Sequence, residues 1–185
     1  MTPPGLTERL DEAFSLAREL HSHQLRKGSE VPYLAHLMSV AALVLEDGGD
    51  EDQAIAALLH DAAEDQGGYD TLDEIRRRFG SHVAAIVEGL SDTFVMPKPP
   101  WRARKETYLA HLANQAPAEV LRVSLADKLH NARSLLLDLR LFGPAVWDRF
   151  RGGREGTLWY YHRLVGIFQA QCDSPLVGEL ARVVE

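Results

Sequence analysis

A single cysteine, Cys172, stands among the 185 residues, so no internal disulfide can staple the chain. That scarcity suits a reducing compartment, and Cys172 reads as a small packed side chain rather than a nucleophile. Long apolar runs are missing as well. None approaches the roughly 20 residues needed to cross a bilayer, and Met1-Thr2-Pro3-Pro4-Gly5 has neither the basic flank nor the apolar stretch of a leader, so a cytoplasmic protein without membrane association is expected. The chain also lacks a positive balance: 20 Lys and Arg stand against 27 Asp and Glu, a formal charge of −7. This argues against broad electrostatic binding to nucleic acid, and an anionic ligand would need a local basic cluster. No stretch alternates polar and apolar residues long enough to make a strand.

What is present is a set of apolar residues recurring every three or four positions, punctuated by Gly and Pro, which predicts an all-α fold of about eight to ten helices. The length fits one domain over residues 1–185. A first helix is expected from Thr7, an N-cap, to about His23. A loop over 26–32 separates it from helices at Tyr33–Glu46 and Asp50–Gln66, closed by Gly48-Gly49 and Gly67-Gly68. Helices near Thr71–Phe79 and Ser81–Ser91 follow. Met96-Pro97-Lys98-Pro99-Pro100 cannot be helical, because successive prolines remove donors and clash with the preceding turn. Further helices are expected at Arg102–Asn114, Pro117–Leu139, Thr157–Gln171 and Pro175–Val184, with a short segment between Gly143-Pro144 and Gly152-Gly153.

Chemistry concentrates in Leu58-Leu59-His60-Asp61-Ala62-Ala63-Glu64-Asp65, where an imidazole and three carboxylates end an otherwise apolar helix. On one continuous helix Glu64 would lie a turn beyond His60, and Asp65 a turn beyond Asp61. Taken alone, this reads equally as a solvated acidic helix end. Two other residues favour a ligand. His36 sits in the apolar run Leu34-Ala35-His36-Leu37-Met38, and Asp127 in Val123-Ser124-Leu125-Ala126-Asp127-Lys128-Leu129; both need partners if buried. Should the three helices converge, His36, His60, Asp61 and Asp127 form a two-imidazole, two-carboxylate set suited to Mn²⁺, Fe²⁺ or Zn²⁺, while the absence of thiolates argues against structural zinc.

The order His, then His-Asp, then a distant Asp resembles the HD-domain metal-dependent phosphohydrolases. Narrower signals are Arg26-Lys27 ahead of Pro32-Tyr33-x-x-His36, Glu64-Asp65 after His60-Asp61, Phe79-Gly80 before Val87-Glu88-Gly89-Leu90-Ser91, and Leu125-Ala126-Asp127-Lys128-Leu129-His130-Asn131. Together these are similar to the hydrolase domain of the RelA/SpoT group and its standalone small alarmone hydrolases, the metazoan SpoT homologues among them. The resemblance implies an HD-domain helical bundle and a Mn²⁺-dependent 3′-pyrophosphohydrolase of (p)ppGpp, yielding GDP or GTP and pyrophosphate. It implies His36, His60, Asp61 and Asp127 as metal ligands and Glu64 and Asp65 as the pair that positions or activates water. Arg26, Lys27 and Asn131 would contact the base or ribose, and Lys105 would face the phosphates. Another nucleotide such as (p)ppApp or NADPH, or alarmone binding without cleavage, is the alternative.

The chain departs from the family pattern at Leu37, where proline commonly follows the metal histidine, and in Gly28-Ser29-Glu30 of the base loop. Tyr160 is read mainly as core, with a substrate-side role second. His130, three positions after Asp127, is close enough in sequence to support it. His21, His23, His82, His111 and His162 lack partners at ligand spacing and read as surface or satisfied core groups. Arg76-Arg77-Arg78 reads as a solvated face at a helix C-terminus.

Overall fold

The computed structural model describes residues 5–95 and 97–185. Expectations that rest on Met1–Pro4 or on Met96 fall outside those residues. Among the described residues the fold is all-α, with no strand: ten α-helices and a 3₁₀ segment, as the periodicity predicts. Contacts gather the chain into two units, one ending at Phe94 and the other beginning at Val95.

The first unit holds α1 (Glu8–Leu20), α2 (Leu34–Glu46), α3 (Glu51–Leu59), α4 (Ala62–Gln66), α5 (Tyr69–Phe79) and α6 (Ser81–Leu90). Thr7 caps α1 by accepting the Arg9 N–H at 3.3 Å, and Asp50 caps α3 by accepting from Gln53 at 2.9 Å. Helix α3 is the centre of the unit. Ala54, Ile55, Ala56, Ala57 and Leu59 are all fully buried, and α1, α2 and α6 each pack on it. A helix apolar all round belongs inside a bundle rather than on its surface.

Two differences from the sequence expectation in this unit bear on the site. Helix α1 stops at Leu20, short of His23, because His21 turns inward: it is 3% exposed, stacks on Tyr33 with centroids 5.2 Å apart, and meets the Gln24 side chain at 2.6 Å. The single helix expected over Asp50–Gln66 is broken at His60-Asp61 into α3 and α4.

The second unit holds α7 (Trp101–Asn114), α8 (Ala118–Phe142), the 3₁₀ segment Gly143–Arg149, α9 (Gly153–Gln171) and α10 (Pro175–Val184). Helix α9 begins at Gly153, ahead of the expected Thr157. Helix α8 is two-sided along its length: Val123 to Asp127 are buried, whereas Leu137, Leu141 and Phe142 are exposed. Gln171 of α9 donates to the carbonyls of Leu112 and Ala113 at 3.0 and 3.1 Å, satisfying the open end of α7. Ser174 caps α10 by accepting the Leu176 N–H at 3.1 Å.

Arg9 ties the first unit together from its edge. Its guanidinium reaches Glu51 at 3.1 Å, Asp52 at 2.7 Å and the Phe79 carbonyl at 2.9 Å, joining α1 to the start of α3 and the end of α5. Burial alone would lift the Asp52 carboxyl, but its bonds to Arg9 and His82 hold it below the usual carboxylate range. Glu51 is held low against the same pull of burial, by the Thr7 N–H and by Arg9. Since the folded values are depressed, this stability is present above the ordinary carboxylate range and is lost as pH falls through the folded values. Arg9→Met should therefore cost about 1 kcal/mol at pH 7, or about 2–4 °C of Tm. The variant should also lose less stability than the parent between pH 5 and pH 3, read by thermal unfolding across pH.

Candidate functional site

The break between α3 and α4 makes the centre of the site. Consecutive residues of a regular helix point about 100° apart and do not face each other. Asp61, at φ −97° and ψ −4°, instead leaves the path of the regular helix, and its carboxylate turns back toward His60. His60 Nε2 lies 3.0 Å from Asp61 Oδ2, and His36 Nε2 lies 4.0 Å from the same oxygen. The imidazoles meet edge to face at 5.2 Å between centroids and are 1% and 3% exposed.

The protonation of His60 follows from its other nitrogen. Its Nδ1 lies 2.8 Å from the Ala57 carbonyl, which can only accept, so Nδ1 carries the hydrogen and neutral His60 presents an Nε2 lone pair. That lone pair faces a carboxylate oxygen at 3.0 Å, a repulsive contact until a proton or a metal cation comes between them. Two imidazole nitrogens and a carboxylate are the donor types that first-row divalent metals accept, and a histidine oriented by a backbone carbonyl is the usual form of such a ligand. The residues fit a metal.

Tyr33 was not foreseen as part of this centre. Its hydroxyl donates to Asp61 Oδ2, and its ring lies edge-on to His36 at 5.4 Å. The signal available was its spacing, three residues before His36, which turns both toward one side of the start of α2. Tyr33 also closes the preceding loop: its N–H donates to Gln24 at 2.9 Å, the Arg26 N–H to Val31 at 2.8 Å, and Leu25 pairs with Pro32 in an isolated bridge. Gly28, at φ +72°, makes the tight reversal that L side chains resist. The result is a hairpin that presents Arg26, whose guanidinium lies 5.7 Å from the Tyr33 ring, and the exposed Lys27.

The acidic pair is clamped from two sides. Glu64 Oε2 accepts the Asp92 N–H at 3.1 Å, and Asp65 Oδ2 accepts Gln24 Nε2 at 2.9 Å. Gln24 in turn accepts from Gln66 at 2.8 Å and contacts His21. A polar loop residue between two helices gives no sequence signal for this role.

In the second unit Asp127 is 5% exposed at the middle of α8. Lys128 Nζ reaches its Oδ2 at 2.5 Å and Asn131 Nδ2 its Oδ1 at 2.5 Å, so the Asn131 amide is engaged in orienting this carboxylate. Burial alone would lower the Lys128 ammonium, but the Asp127 carboxylate raises it well above the ordinary lysine value and it stays charged. Its Nζ also lies 5.3 Å from the centre of the Tyr108 ring, whose hydroxyl meets Ser124 at 2.9 Å. Burial of Tyr160, 6% exposed, pushes its phenol upward, so it is neutral at any ordinary pH. Lys105 Nζ lies 5.2 Å from the Tyr160 ring centre.

Thus His36, His60 and Asp61 come together in the first unit, which also carries Glu64, Asp65, Arg26 and Lys27, while the second unit carries Asp127, Asn131 and Lys105. An HD domain model matches residues 13–158, and the chain belongs to the HD domain family. Among its relatives is the Xenopus tropicalis guanosine-3′,5′-bis(diphosphate) 3′-pyrophosphohydrolase MESH1, 37% identical over 76% of this chain and 74% of that one. The mouse protein of the same name is 36% identical over 77% and 76%. The Escherichia coli bifunctional (p)ppGpp synthase/hydrolase SpoT is 34% identical over 95% of this chain, which spans 24% of that protein. A solved metazoan orthologue of SpoT shares the fold at a TM-score of 0.79, with 24% identity over 97% of this chain and 95% of that one. A Listeria monocytogenes structure matches at 0.70, with 28% identity over 80% of this chain and 96% of that one.

The Lys128–Asp127 pair gives a direct stability test. Lys128→Met leaves a buried carboxylate with one donor fewer and should cost about 3 kcal/mol. With a folded value above the unfolded one, the pair's stabilisation is full below the unfolded lysine value of about 10.4 and fades as pH rises beyond it, so the cost should be undiminished at pH 7–9. Thermal unfolding reads both, and adding Asp127→Asn to Lys128→Met should return part of the loss.

Proposed function

We propose that this chain is a divalent-metal-dependent (p)ppGpp 3′-pyrophosphohydrolase acting as one cytoplasmic catalytic domain over residues 1–185, with Mn²⁺ as its metal. The observation that carries the reading is the convergence of His36, His60 and Tyr33 on one oxygen of Asp61, followed directly by the clamped pair Glu64-Asp65. The names of relatives 36–37% identical over about three quarters of the chain support the substrate. The family's order of motifs supports Asp127 as the fourth ligand beside His36, His60 and Asp61.

These residues would hold the divalent cation, whose chemistry when bound would be to lower the pKa of water toward about 7 and to withdraw charge from a phosphoryl oxygen. The remaining work falls to the protein's own side chains. Glu64, fixed by the Asp92 N–H, orients the attacking water and accepts its proton, and Asp65, fixed by Gln24, holds the second side of that position. Arg26 and Lys27 on the hairpin receive the guanine base, and Asn131 matches a base or ribose contact of the family. Lys105 meets the phosphates and supplies local positive charge that a chain of net charge −7 lacks overall. Phosphoryl transfer depends on positioning and charge neutralisation, so no covalent nucleophile is needed.

Purified protein with ppGpp and Mn²⁺ should release pyrophosphate, and a chelator or Asp61→Ala should abolish release. Glu64→Gln should retain the metal yet lower kcat by about 10²- to 10³-fold. Binding of ppGpp without release, or faster hydrolysis of (p)ppApp or NADPH, would overturn the reading.

A further inference from the structure

Two glycines of the second unit stand where neither backbone conformation nor helix propensity asks for them. Gly152, the cap residue of α9, has φ −81° and ψ −6°, a conformation open to every residue. Gly156 lies inside the first turns of α9, where glycine costs about 1 kcal/mol relative to alanine. The reason for both is Trp101. A Cβ on Gly152 would come within 2.7, 2.9 and 3.0 Å of Cη2, Cζ3 and Cζ2 of its indole, and a Cβ on Gly156 within 3.2 and 3.3 Å of Cζ3 and Cη2. The six-membered ring of Trp101 thus lies against bare backbone.

This seat continues in step along the two helices. Gly152, Gly156 and Tyr160 follow one another at intervals of four and share a face of α9, while Trp101 and Lys105 share a face of α7 at the same interval. Trp101 rests on the two glycines and stands edge-on to Tyr160 at 6.5 Å; Lys105, one turn on, lies 5.2 Å from the Tyr160 ring centre. Beside them the Arg102 guanidinium lies 3.2 Å from the Trp159 ring centre and donates to Glu106 at 2.8 Å, a second seam between the same helices. A lysine stem has four rotatable carbons, so the ammonium can be placed only if the helix carrying it is fixed.

We propose that Trp101 is a positioning residue: seated on Gly152 and Gly156, it sets α7 against α9 and so holds the Lys105 ammonium at the Tyr160 ring to meet the phosphates of the substrate. This rests on the reading of the chain as a (p)ppGpp hydrolase and deepens it. Trp101 touches no reacting atom, and its effect passes through Lys105.

The test is a set of substitutions in the whole protein, assayed for ppGpp hydrolysis with Mn²⁺ and for thermal unfolding. Trp101→Phe removes the ring atoms that occupy the seat, and Gly152→Ala fills it. Each alone should raise KM about tenfold with kcat changed less than about twofold, matching Lys105→Ala. Trp101→Phe with Gly152→Ala should restore most of the loss, since the added methyl takes the space the ring has left. Trp101→Phe with Lys105→Ala should be no worse than Lys105→Ala alone. An active parent in which those two losses multiply, or in which kcat falls with KM unchanged, overturns the inference and leaves the hydrolase reading standing. A parent that does not hydrolyse ppGpp overturns that reading, and the inference with it. Should Trp101→Phe unfold the protein, Gly152→Ala and Lys105→Ala carry the same comparison.

Discussion

The site turns on an interruption two residues long. Between Leu59 and Ala62 the helix stops and restarts, with His60 and Asp61 at the break. There two residues adjacent in sequence aim at one point, which a regular helix forbids. The surroundings hold the break in place. The Ala57 carbonyl, left without a regular helical partner, takes the His60 Nδ1 hydrogen; the Asp61 carbonyl accepts the Asp65 N–H at 3.0 Å and restarts the helix as α4; Tyr33 anchors the Asp61 carboxylate from the far side. Packing of α3 on α1, α2 and α6 fixes the helix that leads into the break.

Around that centre the structure spends polar interactions on orientation more than on stability. Gln24 joins His21, Gln66 and Asp65 through one side chain, and the Asp92 backbone fixes Glu64. Lys128 and Asn131 each take one oxygen of the buried Asp127. A buried charge pair of this kind adds little net stability compared with apolar packing, but it fixes a carboxylate in one rotamer. The same logic extends to the edge of α7, where two glycines surrender side chains so that one indole can seat a helix.

Much of the architecture was legible from periodicity and punctuation. Gly48-Gly49, Gly67-Gly68 and Gly80 end helices where they stand, and Pro99-Pro100 directly precede the start of α7, because these residues act through their own backbones. The break at His60-Asp61 was not legible, since neither residue is a helix breaker and the cause is tertiary. The early end of α1 at His21 has the same origin, in a stack on Tyr33 that no local pattern encodes. Of the site, His36, His60 and Asp61 were readable as polar residues in apolar runs, whereas Tyr33, Gln24 and Lys128 sit at positions where an aromatic, an amide or a lysine is unremarkable.

The central claim is that neutral His60 keeps Nδ1 protonated toward Ala57 and offers Nε2, beside Asp61, to a metal cation. Long-range ¹H–¹⁵N NMR of the imidazoles during titration with diamagnetic Zn²⁺ tests it most directly. The account predicts an Nδ1–H tautomer for His60 before addition and, with one equivalent of Zn²⁺, large shifts of the Nε2 resonances of both His60 and His36 that disappear in Asp61→Ala. An Nε2–H tautomer of His60, or imidazole resonances that ignore the metal, would contradict it.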